Sequence, residues 1–151
     1  IDVRLVGSEM CIRDSNIETV PRLQRQVRPS AGYARSLAVL SQAKDEGLVV
    51  KSSIMVGLGE TEQEMSETLK DLKEIGVDIV TIGQYLRPTM NHLPVQRWWT
   101  PEEFKEFKRI GEALGIPHVE SSPLTRSSYH AKEAETLAKN KASSLANSGG
   151  R

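Results

Sequence analysis

The sequence predicts an α/β domain built on a parallel sheet, because the same pattern of residues occurs three times along the chain. Each copy begins as a helix with one apolar face, passes a glycine, and continues into a short apolar run. The glycines stand at positions 47, 76 and 115. The runs cover residues 49–56, 78–86 and 117–120 and show little polar–apolar alternation, as is typical of strands buried on both faces. This periodicity leaves two architectures open, a doubly wound sheet and a barrel.

Capping signals predict where the helices begin. The first helix is predicted from Tyr33 to Gly47. The second opens at Thr61 with Thr-Glu-Gln-Glu, a capping box in which the Glu64 side chain reaches back to the Thr61 amide. The third opens with Thr-Pro-Glu-Glu at 100–103, where proline takes the first helical position and its missing N–H costs nothing.

The composition is that of an ordinary globular protein and excludes several classes. Lysine plus arginine equal aspartate plus glutamate at 20 each, so the total charge favours no particular partner, and neither nucleic acid nor a membrane is expected. No apolar run approaches the roughly 18 residues that a membrane-spanning helix needs. The single cysteine, Cys11, excludes an internal disulfide framework and agrees with a reducing, cytoplasmic compartment.

Both β/α architectures place their sites at the carboxyl ends of the strands, so the loops after residues 56, 86 and 120 are the places to search. The first loop, residues 57–61, holds Gly57 and Gly59 before a capped helix. It fits an anion site at the helix N-terminus, or a tight turn in which Glu60 complements the helix dipole. The residues alone favour the turn, and the glycine spacing matches neither a Rossmann fingerprint nor a Walker A loop.

The second loop, residues 87–99, is the longest and carries His92 with two adjacent tryptophans. For His92, packing or a substrate contact is favoured over metal binding, because no second ligand stands at a suitable spacing. Trp98 and Trp99 fit either a pocket wall or a cover over the core.

The third loop, residues 121–131, sets Arg126 beside hydroxyls and Tyr129. It fits either a phosphate or carboxylate site or a polar loop that caps a final helix, and both stay open. A Ser-His-acid triad using His118 or His130 is disfavoured, since no Gly-x-Ser-x-Gly elbow is present.

The order of these motifs along the chain is more specific for a protein family than any single motif is. From about Asn16 to Ala131 the chain reads NIETVPRLQRQVRP, YARSLAVLSQAKD, KSSIMVGLGET, IGQYLRPTMNHLPVQRW, TPEEF and RSSYHA. In this order they resemble consecutive landmarks of the lipoyl synthases, a family of radical S-adenosylmethionine enzymes. The resemblance implies the C-terminal half of a partial (β/α) barrel of the TIM type. The implied division is a non-native leader at 1–15, the barrel part at 16–138 and a disordered tail at 139–151.

The resemblance implies the chemistry of a sulfurtransferase with S-adenosylmethionine and two [4Fe-4S] clusters. A deoxyadenosyl radical takes hydrogen from C6 and C8 of a protein-bound octanoyl-lysine, and a sacrificial auxiliary cluster supplies two sulfur atoms. A serine of the RSSY motif is implied as a ligand of that cluster, with Ser128 favoured and Ser127 the alternative. Arg126 and Tyr129 would lie beside it. Thr125 and Ser122 stand where the family has valine and glycine.

Further site residues follow from the same resemblance. The run Ser53 to Glu60 is similar to the radical family's G-x-I-x-G-x-x-E motif, which supports S-adenosylmethionine. Gly57, Gly59 and Glu60 are therefore expected at the cofactor, together with Ser53 in the first glycine's place. Asn16 and Glu18, from the NIETV stretch, are implied near the cofactor as well. Gln84 and His92 are implied at the octanoyl channel or its mouth.

The implied partners are octanoylated lipoyl-carrier domains, namely the E2 subunits of 2-oxoacid dehydrogenases and the glycine cleavage H protein. An electron donor such as ferredoxin or flavodoxin is also implied. Three arginines at steps of three, which would form a basic helical face for an acidic carrier, are Arg22, Arg25 and Arg28.

The cluster cysteines of the family have no counterpart here, and residues 1–15 resemble translated adapter sequence, so Cys11 is expected to carry no function. The chain alone is therefore expected to be inactive. Two alternatives stay open: a non-catalytic module that binds lipoyl-carrier domains, and an unrelated β/α enzyme that uses residues 57–61 as an anion site.

Overall fold

The computed structural model describes residues 2–6, 10–27 and 32–126, with side chains from Ile12 onward. Several residues discussed above lie outside this part of the chain: Arg28, Ser127, Ser128, Tyr129, His130 and the tail at 139–151.

The three predicted helix–strand pairs are all present. They are α2 (Tyr33–Asp45) with β3 (Val49–Val56), α3 (Glu62–Glu74) with β4 (Ile79–Gln84), and α4 (Pro101–Leu114) with β5 (His118–Ser121). Before them come β1 (Asp2–Val6), β2 (Met10–Asp14), a 3₁₀ turn (Pro21–Leu23) and α1 (Gln24–Val27). The first 15 residues thus contain two strands, although their hydrophobic pattern indicates none.

The five strands form one sheet in the order β1-β2-β3-β4-β5. β1 pairs antiparallel with β2, and every later pair is parallel. The order runs in one direction, whereas a doubly wound sheet reverses its order at a switch point. The α/β class with a parallel sheet is confirmed. Closure into a barrel stays a prediction, since four parallel strands are the extent of the parallel sheet within the described residues.

The two middle strands are buried on both faces, as predicted. All residues of β4 and all but one of β3 are buried. On β3, Val50, Ile54 and Val56 pack into the apolar core beneath the helices. Successive side chains of a strand alternate between faces, so Lys51 and Ser53 lie on the opposite side of the sheet. Both are buried, so that second face carries polar side chains among apolar ones such as Val49 and is not a solvated surface.

Both predicted capping boxes are confirmed. In α3 the Glu64 amide donates to the Thr61 hydroxyl at 3.1 Å and the Thr61 amide donates to the Glu64 carboxylate at 3.0 Å. In α4 the equivalent distances between Thr100 and Glu103 are 3.2 and 3.0 Å. These caps satisfy helix-end amides that the helix cannot pair internally, and they fix where the loops at the carboxyl edge of the sheet end.

Candidate binding site at the carboxyl edge of the sheet

Two adjoining pockets open at the carboxyl ends of β3, β4 and β5, where the sequence predicts the site. The first, here called the Glu18 pocket, has a volume of about 250 Å³. The second, here called the His92 pocket, has a volume of about 340 Å³. Val27, Leu58 and Tyr85 line both pockets and therefore form their common wall.

Glu18 reaches its pocket because the chain after β2 continues alongside β3. The Glu18 amide donates to the Ser53 carbonyl at 3.1 Å, and the Met55 amide donates to the Glu18 carbonyl at 2.8 Å. Ser53 thus contributes its backbone to Glu18, while its hydroxyl lies 2.5 Å from the Thr81 hydroxyl on β4. Asn16 is half-buried two residues before Glu18. Of the residues implied near the cofactor, Glu18 is the one that lines the pocket.

The loop after β3 is organised by Glu60. Its buried carboxylate accepts hydrogen bonds from the amides of Gly57 at 2.5 Å and Leu58 at 3.0 Å, and from the Trp99 indole nitrogen at 2.9 Å. An anion bound at this loop would need the same amides. The geometry therefore supports a turn and opposes the anion-site alternative, but the carboxylate turns back on the loop instead of facing the helix.

Gln84, at the end of β4, connects this loop to the next one. Its side-chain nitrogen donates to the carbonyls of Tyr85 at 3.1 Å and Arg97 at 3.0 Å, and its oxygen accepts from the Trp99 amide at 3.1 Å. A Cβ on Gly57 would stand 2.3 Å from that nitrogen. Gln84 is buried and fixes both ends of the 85–99 loop, so any effect it has on a ligand passes through that loop.

The loop from Tyr85 to Trp99 holds its own shape and presents His92. The Arg87 guanidinium donates to the carbonyls of Met90 at 2.7 Å and His92 at 2.9 Å. The His92 ring nitrogen Nδ1 lies 2.8 Å from the Thr89 hydroxyl, and His92 lines the wall of the His92 pocket. The two tryptophans differ: Trp99 is buried against Phe107, with ring centroids 5.0 Å apart, whereas Trp98 is exposed.

The segment after β5 brings Arg126 to the Glu18 pocket. A Cβ on Gly83 would stand 2.1 Å from the Thr125 carbonyl oxygen, so the absence of a side chain at Gly83 permits this approach. The Arg126 guanidinium donates to the Thr125 carbonyl at 2.7 Å. The hydroxyls of Ser122 and Thr125 lie 2.8 Å apart.

Arg22 holds the Gly59 turn from the other side. Its guanidinium donates twice to the Glu64 carboxylate, at 2.9 and 3.0 Å, and once to the Gly59 carbonyl at 2.7 Å. The predicted basic face for an acidic partner is therefore partly occupied within the molecule. Sequence reasoning had no signal for this pair, because the two residues lie 42 positions apart.

Replacing Arg22 by leucine is expected to raise the pKa of Glu64 towards its ordinary value. The side-chain hydrogen bond from Arg22 is the largest cause that lowers this pKa in the folded chain. A depressed folded pKa stabilises the fold above the unfolded pKa, and that stabilisation is lost as the pH falls through the folded value. The difference in stability between Arg22→Leu and the parent should therefore shrink in acid.

Carboxyl NMR titration of Glu64 and urea unfolding near neutral pH and in acid measure these effects. Arg25→Leu, which removes an exposed arginine from the same segment, is the matched control. An unchanged Glu64 titration in Arg22→Leu would contradict the assignment.

The fold and the site together define a β/α domain with a candidate binding cleft at the carboxyl ends of parallel strands. No protein-family model matches the chain. It is 62% identical over 120 residues to a lipoyl synthase of Rubrobacter xylanophilus, which covers 78% of the chain and 37% of that protein. It is 58% identical over 119 residues to a lipoyl synthase of Christiangramia forsetii, covering 78% and 41%. With a chloroplastic lipoyl synthase of Sorghum bicolor the identity is 54% over 132 residues, covering 85% and 36%.

The chain belongs to the lipoyl synthase family, an enzyme family, and the predicted resemblance is confirmed. It spans about two-fifths of the length of these curated relatives. Among the described residues, no helix has both the length and the apolar character needed to cross a membrane.

Proposed function

We propose that the chain forms one wall of a lipoyl synthase, which inserts two sulfur atoms at C6 and C8 of a protein-bound octanoyl-lysine. The observation that carries the proposal is the Glu18 pocket. There Glu18, from the NIETV stretch, and Arg126, from the start of the RSSY motif, line one cavity together with the loop after β3. These three segments are far apart in the sequence, and the parallel sheet brings them together at its carboxyl edge.

The residues of the Glu18 pocket fit S-adenosylmethionine by their chemistry. A carboxylate accepts hydrogen bonds from hydroxyl or ammonium groups, and a guanidinium donates to a carboxylate. The apolar side chains of Met55 and Leu58 offer packing for an aromatic ring. When bound, S-adenosylmethionine supplies the radical chemistry, while Glu18 and Arg126 bind and orient it and the apolar wall excludes water.

The [4Fe-4S] clusters that the family resemblance implies would need several metal-binding side chains close together. Within residues 12–27 and 32–126, no three histidine, cysteine or acidic side chains come together as a metal site. The described residues therefore do not fit an iron–sulfur cluster. Ser128, with Ser127 as the alternative, remains a proposed ligand of the auxiliary cluster, because a hard oxygen ligand holds iron less firmly than thiolate does. Tyr129 is proposed to lie beside it.

The His92 pocket is proposed to take the octanoyl chain. Its wall includes Leu93, Pro94 and the shared Leu58, which suit an aliphatic chain. The His92 ring is oriented by Thr89 and lines this pocket, and it would donate to or accept from the amide of the acylated lysine. Gln84 would act by holding the loop that carries this wall.

S-adenosylmethionine is expected to bind the chain, and Glu18→Gln to weaken binding about tenfold, since hydrogen bonds to charged groups contribute about 1.5–3 kcal/mol. Isothermal calorimetry measures both. Glu62→Gln, which changes an exposed acid at the start of α3, is the control and should bind normally. A folded chain that takes up no S-adenosylmethionine would refute the cofactor assignment.

Anaerobic treatment of the chain with iron and sulfide is expected to give no stable [4Fe-4S] absorption band. The reason is that the chain contains one cysteine, whereas such clusters need several thiolate ligands. A band that survives desalting would contradict the proposal that the cysteine ligands of the enzyme's clusters lie outside this chain.

A module that binds lipoyl-carrier domains is the second candidate, and the charge of the carboxyl edge favours it. The segments 19–27, 85–99 and 121–126 contain five arginines, of which Arg22 and Arg97 pair with Glu64 and Glu103. The other three would attract an acidic carrier domain. Titration with octanoylated and unmodified carrier domains separates the candidates. Binding of both forms alike favours the module, while a preference for the octanoylated form favours the enzyme wall.

A further inference from the structure

The backbone at Glu18 is strained. Glu18 has φ of +68° and is the only non-glycine residue with positive φ among the described residues. The Thr19 amide donates to the Ile17 carbonyl at 2.8 Å, so a hydrogen bond spans Glu18 from the residue before to the residue after. That bond with a positive φ is the rarer form of the γ-turn, and such strained turns cluster at functional sites.

The side chain of Gln24 forms hydrogen bonds on both sides of this turn. Gln24 is buried, and its side-chain nitrogen donates to the carbonyls of Ile17 and Thr19, each at 2.7 Å. The contacts with β3 hold the N–H and C=O of Glu18 itself. Gln24 holds the carbonyls that precede and follow it. The Gln24 amide group therefore fixes the peptide unit before Glu18 and the unit after Thr19, and so clamps the chain on either side of the turn.

We propose that Gln24 is a positioning residue, which holds the γ-turn at Glu18 and thereby keeps the Glu18 carboxylate at the wall of the pocket that Arg126 also lines. The inference rests on the proposed function, since it assigns Gln24 to ligand binding at that site. Gln24 touches no ligand and acts only through Glu18. Without it, the turn can relax to a negative φ, and the Glu18 side chain leaves its place at the pocket.

Affinity in a double-mutant cycle tests this. The four chains are the parent, Gln24→Leu, Glu18→Gln and the double variant, and S-adenosylmethionine is the titrant. Gln24→Leu keeps the bulk of the side chain but cannot donate, and it is expected to weaken binding about tenfold, as Glu18→Gln does. Because both changes act through one carboxylate, the double variant should bind no more weakly than Glu18→Gln. Additive losses, or an unchanged affinity in folded Gln24→Leu, would overturn the proposal. Gln42→Leu, at an exposed site on α2, is the control.

A second measurement needs no ligand. Hydrogen exchange of the Thr19 amide reports the γ-turn directly, and NMR couplings report the sign of φ at residue 18. In Gln24→Leu, protection of this amide should fall roughly tenfold. In Gln24→Leu combined with Glu18→Gly, protection should return, because glycine adopts positive φ without strain.

Full protection of the Thr19 amide together with a positive φ at Glu18 in Gln24→Leu would contradict the positioning role of Gln24. If the turn depends on Gln24 but the parent chain binds no S-adenosylmethionine, the cofactor assignment fails and Gln24 as the holder of the turn stands. The two failures are thereby distinguished.

Discussion

The substitution Gly57→Ala is expected to lower the free energy of unfolding by about 3 kcal/mol or more, from backbone strain and overpacking together. Gly57 has φ of +111°, which side chains with a Cβ rarely adopt. A Cβ there would stand 2.3 Å from the Gln84 side-chain nitrogen and 2.7 Å from the Arg97 carbonyl oxygen. The carbonyl belongs to the backbone and cannot turn away as a side-chain end could. The 85–99 loop would therefore have to move, and with it the wall of both pockets.

Two other glycines separate the causes of that loss. Gly47 also has positive φ but has open space where a Cβ would stand, so Gly47→Ala measures backbone strain alone. Gly32 has open space and an ordinary φ, so Gly32→Ala should change little. Urea unfolding of the three variants gives the comparison. A loss in Gly57→Ala no larger than the loss in Gly47→Ala would show that the close approach to Gln84 and Arg97 adds nothing to the backbone strain.

Local signals in the sequence were sufficient to predict the helices. Thr61 and Glu64 form a capping box because the two residues are three positions apart, which is a contact that spacing alone specifies. Gly115, which ends α4 with φ of +98°, is of the same kind. β4 ends at Gln84, two residues before the predicted end, because its partner strand β3 ends at Val56, opposite Gln84.

Contacts between distant segments could not be predicted in this way. The sequence suggested that Glu60 complements a helix dipole, but its carboxylate also accepts from Trp99, 39 positions away. Similarly, Arg22 was interpreted as part of a basic surface, and its partner Glu64 is known only from the fold. β2 carries no strand pattern of its own, yet it pairs with β3. In each case the packing of distant segments determines the partner, and no periodic pattern in the sequence indicates it.

The candidate site residues also divide into those whose location the sequence predicts and those whose contacts only the fold reveals. The rule that β/α sites lie at the carboxyl ends of strands located the loops, and the structure brings Glu18, His92 and Arg126 to pockets there. The roles of Gly57, Gly83 and Gln84 could not be predicted from the sequence, because they depend on which segments of the backbone lie close to these residues in the fold. Gly57 lies against the Gln84 side chain, and Gly83 lies against the Thr125 carbonyl.

The substitution Glu60→Ala is expected to lower the free energy of unfolding by about 3–5 kcal/mol. It leaves buried hydrogen-bond donors without the charged acceptor with which they pair. Those donors are the amides of Gly57 and Leu58 and the indole N–H of Trp99. An alanine also leaves a void between the loop and the indole. Trp99 should lose its fixed place against Phe107, and the loop that forms the shared pocket wall should lose its shape.

Urea unfolding gives the overall loss, and tryptophan fluorescence in a Trp98→Phe background reports Trp99 alone, as Trp98 is the chain's other tryptophan. Glu62→Ala, an exposed acid two residues on, is the matched control and should cost little. Glu60→Gln keeps one acceptor oxygen and should fall between the two. A loss in Glu60→Ala no larger than in Glu62→Ala would mean that the turn is held by its glycines alone. The Glu60 carboxylate would then be free to serve a ligand rather than the loop.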